Sequence, residues 1–325
     1  MKKSYLRSLL VASTLLIIIL LMISGALIKK NRLYPGDVRE SIVVDGIERT
    51  FILHLPPSGP ANGSLPLVIA LHGGGGDGFD MEKLTESGLN RLANENGFIV
   101  VYPDAIGKHW NDGRNLSWYR SHRENVDDVG FIEAIIDYLI GNYGVDPKNV
   151  FVVGMSNGGL MTYRLACDIP ERLGAIAVVG VSMSENLYKD CPSGLPVPIL
   201  IILGTDDPLV PWNGGELHLG PVKLGRVVSI NETIDYWVER NGCTNTSEGE
   251  YLPDKGPGDG TEVWKEHYFN CREGAEVVFY GIAGGGHTWP GGYQYLPEKI
   301  VGKTSRDIDA NRVVWEFFRR HLHGA

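Results

Sequence analysis

Gly154-Met155-Ser156-Asn157-Gly158 follows directly on the apolar run Val150-Phe151-Val152-Val153 and precedes a helical pattern. Such a chain has to turn abruptly from a buried strand into a helix, with a serine at the corner. The glycines two residues on either side of Ser156 have a steric explanation. At so tight a corner a side chain there would strike the neighbouring strand or helix. The serine hydroxyl is thereby pushed out above the sheet edge, where a nucleophile belongs.

The pattern around this corner alternates. Strands are expected near residues 66–71, 98–103, 150–155, 174–179, 198–203 and 276–281, after a hairpin around Asp45-Gly46. Helices are expected near 79–95, 128–141, 157–167, 226–240 and 307–321. Alternation of this kind predicts an α/β fold, a mostly parallel sheet with helices on both faces. In the segment 128–141 the apolar residues Phe131, Ile132, Ile135, Ile136 and Leu139 recur at helical spacing. Asp127 and Asp128 at its start read as caps in preference to metal ligands.

Acyl chemistry at Ser156 requires a base, an acid to orient it and donors for a developing oxyanion. The acid falls in Ile199-Leu200-Ile201-Ile202-Leu203-Gly204-Thr205-Asp206-Asp207-Pro208, a strand ending in a turn and two aspartates. Asp207 is favoured, because Gly204-Thr205 makes the turn and Pro208 blocks further pairing. An exchange of roles with Asp206 stays open. The base is His287, in the glycine-rich loop Gly284-Gly285-Gly286-His287-Thr288-Trp289-Pro290 after the last strand. Serine, acid and histidine then follow the chain order that such a fold requires.

The oxyanion donors are expected from the backbone N–H groups of Asn157 and of Gly74, with Gly75 as the alternative to Gly74. Leu67-Val68-Ile69-Ala70-Leu71-His72-Gly73-Gly74-Gly75-Gly76 is a strand running into glycines, which lets amides approach a carbonyl without a Cβ in the way. No Lys-Ser/Thr follows, so the loop does not read as a phosphate cradle. His72 reads as a structural member of the loop. Trp289 is a pocket candidate, with packing beneath the loop as the alternative. The segment Asn241 to Cys271 reads as an excursion that overhangs the site.

These motifs, together with Val126-Asp127-Asp128-Val129-Gly130-Phe131 and Gly204-Thr205-Asp206-Asp207-Pro208-Leu209-Val210-Pro211, resemble those of the polyhydroxybutyrate depolymerase and feruloyl esterase family of α/β-hydrolases. The resemblance runs from about Ile42 to the C-terminus. It implies a serine carboxylesterase whose serine, aspartate and histidine fall on Ser156, Asp207 and His287, with no metal or organic cofactor. Nothing in the chain resembles a polymer-binding module, so soluble esters or short oligomers are the expected substrates. A serine peptidase of the same fold and a binding protein on a hydrolase scaffold are the rival readings.

Lys2, Lys3 and Arg7 precede a mostly apolar stretch that includes residues 9–28, and Lys29-Lys30 follow it. Residues 1–30 are therefore expected to be a signal peptide or a membrane anchor, and 31–325 a single catalytic domain. Either leader makes the protein extracytoplasmic. The four cysteines show no C-x-x-C metal spacing. Local pairing of Cys167 with Cys191 and of Cys243 with Cys271 is expected. The net charge of −9, spread along the chain, argues against nucleic acid as a partner.

Overall fold

Asp45 and Gly46 both take positive φ, 50° and 75°. A two-residue hairpin turn requires this geometry, and it joins β1 (Asp37–Val44) to β2 (Ile47–His54). The structure is a computed structural model that describes residues 33–57 and 64–324. The chain divides into two units, residues 1–35 and 36–325. The expected leader over residues 9–28 lies outside the described residues.

In the second unit β3 (Leu65–Leu71) leads through α1 (Gly78–Leu84) and α2 (Gly88–Asn96) to β4 (Ile99–Pro103). A long loop holding the short α3 (Arg120–Arg123) precedes α4 (Asp128–Tyr143), β5 (Val145–Met155) and α5 (Asn157–Asp168). Then come β6 (Ala175–Val179), α6 (Glu185–Asp190), β7 (Ile199–Gly204), the hairpin β8 (Gly215–Leu219) and β9 (Val222–Val227), and α7 (Ile230–Asn241). The chain continues through β10 (Asn245–Thr246), β11 (Glu250–Tyr251), β12 (Glu262–Phe269) and β13 (Val277–Ala283). It finishes with α8 (Glu298–Val301) and α9 (Ala310–Arg320).

Among the described residues the main sheet runs β1-β2-β4-β3-β5-β6-β7-β13-β12-β10, with β11 also paired to β12. The six central strands from β4 to β13 are parallel, and the outer strands are antiparallel. Successive strand residues point to opposite faces, yet every residue of β6 and β7 is buried. Both faces are therefore covered, as a parallel sheet requires. Each fully buried aliphatic side chain here contributes about 1.5–3 kcal/mol relative to exposure.

The helix expected over 79–95 is two helices. Glu86 and Ser87 both enter the left-handed region, with φ of 53° and 54°, and break it. Beyond the break Gly88 abuts Asn311 so closely that a Cβ would overlap the asparagine side chain. The helix expected over 226–240 starts at Ile230, where Ser229 and Glu232 form a reciprocal capping box. Asp127 caps α4 by accepting the Gly130 N–H at 2.8 Å. Asp128 does something else. It is fully buried, pairs with Arg49 at 2.6 Å and accepts the Asn111 N–H at 2.7 Å, which ties the loop after β4 to the core.

The segment from Asn241 to Cys271 does not overhang the site. Its strands β10 to β12 extend the sheet edge beyond β13, and none of its residues lines the central cavity. The disulfides Cys167–Cys191 and Cys243–Cys271 pair as expected.

Candidate active site

Ser156 has φ 57° and ψ −119°, a conformation that a residue with a side chain holds only when its surroundings impose it. They do so here. A Cβ on Gly154 would overlap the Gly158 carbonyl, and one on Gly158 would overlap the carbonyl oxygen of Leu71 at the end of β3. The corner between β5 and α5 is thus closed by direct contact of backbone with backbone. The Ser156 N–H donates to Val179 at 3.0 Å, fixing the corner to β6.

At the end of β7 the chain meets the loop after β13. A Cβ on Gly204 would overlap the Gly285 carbonyl oxygen. Thr205 N–H donates to Ile282, Asp206 N–H to Gly285, and the Thr205 hydroxyl accepts from Gly284, each at 2.9 Å. That contact brings Asp207 to His287, whose Nδ1 lies 2.6 Å from Asp207 Oδ2. Asp207 Oδ1 accepts the N–H groups of Leu209 and Val210 at 2.8 and 2.9 Å, so the carboxylate cannot swing away. Asp206 is exposed, and its carboxylate bonds only locally, accepting from the Thr205 hydroxyl at 2.8 Å. The histidine loop is braced by the segment after α8, with Gly286 N–H on Lys303 and Gly291 N–H on Ser305 at 2.9 Å.

Ser156, Asn157, His287 and the glycine run 73–76 line one cavity of about 490 Å³. In the glycine run, Gly75 N–H is already given to the Lys108 carbonyl at 2.8 Å. Of the two glycines expected as loop donors, Gly74 is the one whose N–H has no protein acceptor among the described residues. His72 is buried, with Nδ1–H donating to Gly73 at 2.8 Å and Nε2 accepting from Ala105 at 3.1 Å. Burial lowers its pKa to about 4, so it is a neutral brace for the loop.

Three parts of the site escape sequence reasoning. Asp112 is fully buried, held by Arg114 through Nε and Nη2 at 2.7 to 3.0 Å, and accepts from Asn157 Nδ2 at 2.5 Å. Asn157 Oδ1 in turn accepts the Trp110 N–H at 2.8 Å. The residue next to Ser156 is thus locked to the loop after β4. The length of that loop, without a long element of its own, was the available signal. The β8–β9 hairpin is the second part, and lines the cavity with Leu217, Leu219 and Leu224. Its period of two around Gly220-Pro221 was legible. Tyr293, Tyr295 and Leu296 are the third part and line the cavity from the segment before α8. Trp289 does not line it. Its ring is fully buried, and a Cβ on Gly292 would press on it at 2.8 Å, so it packs beneath the loop.

Residues 49–189 match the sequence model of the family described as Esterase PHB depolymerase. The Nocardia uniformis subsp. tsuyamanensis protein NocK, whose name designates it an esterase, is 33% identical over 286 residues, 85% of this chain and 80% of its own. The chain belongs to the polyhydroxybutyrate depolymerase and feruloyl esterase family. Another relative in this esterase family, feruloyl esterase C of Emericella nidulans, is 26% identical over 293 residues, 87% of this chain and 90% of its own. Among solved structures, acetyl xylan esterase from Aspergillus awamori aligns over 87% of this chain and 99% of that one at 16% identity and a TM-score of 0.54. That likeness is one of fold, the α/β-hydrolase fold. The family match covers Ser156 and the glycine loop. It stops before Asp207 and His287, whose meeting with each other is a product of the tertiary structure.

Proposed function

We propose that this family member is an extracytoplasmic serine carboxylesterase acting through an acyl-enzyme. The observation that carries the reading is the 2.6 Å contact of His287 Nδ1 with Asp207, at the wall of the cavity that Ser156 also lines. With Nδ1–H given to the carboxylate, Nε2 is left as the base that removes the Ser156 proton during attack on the ester carbonyl. Asp207 holds that tautomer and stabilises the imidazolium that forms. The tetrahedral oxyanion is received by the N–H groups of Asn157 and Gly74, each donor lowering the barrier by about 3 kcal/mol. Alcohol departs with the proton from His287, and water repeats the sequence on the acyl-enzyme.

The cavity supports ester substrates with an apolar portion, since Leu160, Val181, Leu209, Val210 and Leu217 line it. Hydroxyalkanoate oligomers and feruloyl or acetyl esters are the substrate classes proposed. Two disulfides support an oxidising compartment.

Hydrolysis of p-nitrophenyl acetate and butyrate, methyl ferulate and 3-hydroxybutyrate oligomers, with Ser156→Ala in parallel, tests the reading. Turnover that disappears in the variant while its circular dichroism is retained supports it. A folded wild-type protein inert towards all of these esters would overturn it in favour of a peptidase or a binding protein.

A further inference from the structure

His109 sits over the glycine loop. A Cβ placed on Gly74 would lie 3.2 Å from its Nε2 and 3.1 Å from its Cδ2, and 3.6 Å from the Cβ of Asn157. The ring edge thus adjoins Gly74, which itself lies beside Asn157, the other residue proposed to receive the oxyanion, and His109 lines the same cavity as Ser156. Two contacts fix its orientation. Nδ1–H donates to the Gly107 carbonyl at 3.1 Å, and the ring stacks on Tyr119 with centroids 3.7 Å apart and planes 18° from parallel. Nε2 has no protein partner among the described residues. Burial lowers the ring's pKa, and the nearby Arg114 charge acts in the same direction, so the imidazole is neutral at pH 7. A neutral ring with Nδ1 protonated presents a lone pair at Nε2.

A fixed acceptor beside an oxyanion site needs a donor from the substrate, because an ester carbonyl or ether oxygen would meet it lone pair to lone pair. We propose that His109 is a specificity residue that selects hydroxyl-bearing esters, its Nε2 accepting a hydrogen bond from a substrate hydroxyl close to the scissile carbonyl. The inference rests on the esterase reading above. The hydroxyl can come from the acyl group or from the alcohol, and either satisfies the same lone pair. An analogue lacking it leaves Nε2 unpaired when the cavity is filled. For a half-buried group this lowers kcat/KM about 10-fold to 100-fold, less than at a fully enclosed site.

The test measures kcat/KM on two matched pairs. p-Nitrophenyl 3-hydroxybutyrate against p-nitrophenyl butyrate reports an acyl hydroxyl, and 2-hydroxyethyl butyrate against ethyl butyrate reports an alcohol hydroxyl. The wild-type protein is expected to favour the hydroxylated member of one pair by about tenfold or more. That ratio should fall towards one in His109→Phe, which keeps the stack on Tyr119, and be partly restored in His109→Gln, whose amide oxygen is an acceptor. A merely structural role for His109 would change both members of a pair together. Wild-type ratios near one on both pairs overturn the proposal without any variant, as does a preference that survives in His109→Phe. Ser156-dependent turnover with such ratios refutes the role of His109 alone, whereas no Ser156-dependent turnover on any of the four esters refutes the esterase reading as well.

Discussion

Asp112 and Asn157 meet at 2.5 Å between carboxylate and amide, although 45 residues separate them. The contact joins the loop after β4 to the first turn of α5, and Arg114 holds both oxygens of the same carboxylate. Asp112→Ala would leave the Arg114 guanidinium, 5% exposed in the native pair, buried without a counter-ion. The expected loss is about 3–5 kcal/mol. Thermal unfolding should shift down by about 10 °C, and kcat should fall more than KM rises, because Asn157 carries a proposed oxyanion N–H. Unchanged melting and unchanged kcat would show that Asn157 is held by other contacts.

Asp207→Asn tests the orientation of the base. The variant keeps the Leu209 and Val210 N–H bonds possible through its amide oxygen but then presents an NH₂ group to His287 Nδ1. The histidine would turn its lone pair to the amide and its proton towards Ser156. A fall in kcat of about 10⁴ with a normal melting curve is expected. Activity within tenfold of wild type would argue that Asp207 is not the orienting acid.

Glu276 gathers an arginine and two histidines at one point. Arg320 reaches its Oε1 at 2.8 Å, His321 at 3.0 Å, and His267 reaches its Oε2 at 2.6 Å. Burial alone would raise its pKa, but the bonds from His321 and Arg320 outweigh that and hold it at about 2. A carboxyl with a depressed folded pKa is more protonated in the unfolded chain. Its stabilising contribution is therefore present above the unfolded value and lost as pH falls towards 2. Glu276→Gln should melt lower than wild type at pH 7, with the gap closing between about pH 4.5 and pH 2. A gap that is constant over that window would place the effect in packing.

The two disulfides tie the ends of helices to later segments. Cys167 in α5 joins Cys191 after α6, and Cys243 after α7 joins Cys271 after β12. Each closes a loop of moderate length, for which the unfolded chain loses about 3 kcal/mol of closure entropy. Double replacement of either pair by serine should lower stability by about that amount while kcat on a simple ester stays within a few-fold, since none of the four cysteines lines the cavity. Denaturant titration beside ester assays separates the two effects.

Local chemistry was sufficient for the central strands and most of their crossover helices, but not for the β8–β9 hairpin, the edge strands β10 to β12 or the break between α1 and α2. Period-two and helical apolar patterns marked the sheet and its crossovers, and Asp45-Gly46 announced its hairpin. Gly154 and Gly158 announced a corner at which only backbone could pass backbone. Each of these follows from constraints within a few residues of chain. Where the expectation failed, a distant partner decided. Asp128 resembled a cap until Arg49 and Asn111 claimed it, and Trp289 is buried beneath its loop, against Gly292. The excursion over 241–271 joined the sheet edge because an unpaired edge of β13 offers backbone partners. Residue types at turns and strand ends thus determined which serine, acid and histidine to consider. The contact of Asp207 with His287, the Asp112 lock on Asn157, the place of the leucine hairpin in the cavity wall and the placement of His109 over Gly74 were decided by the tertiary structure alone, because each is a contact between segments whose separation in sequence carries no record of their separation in space.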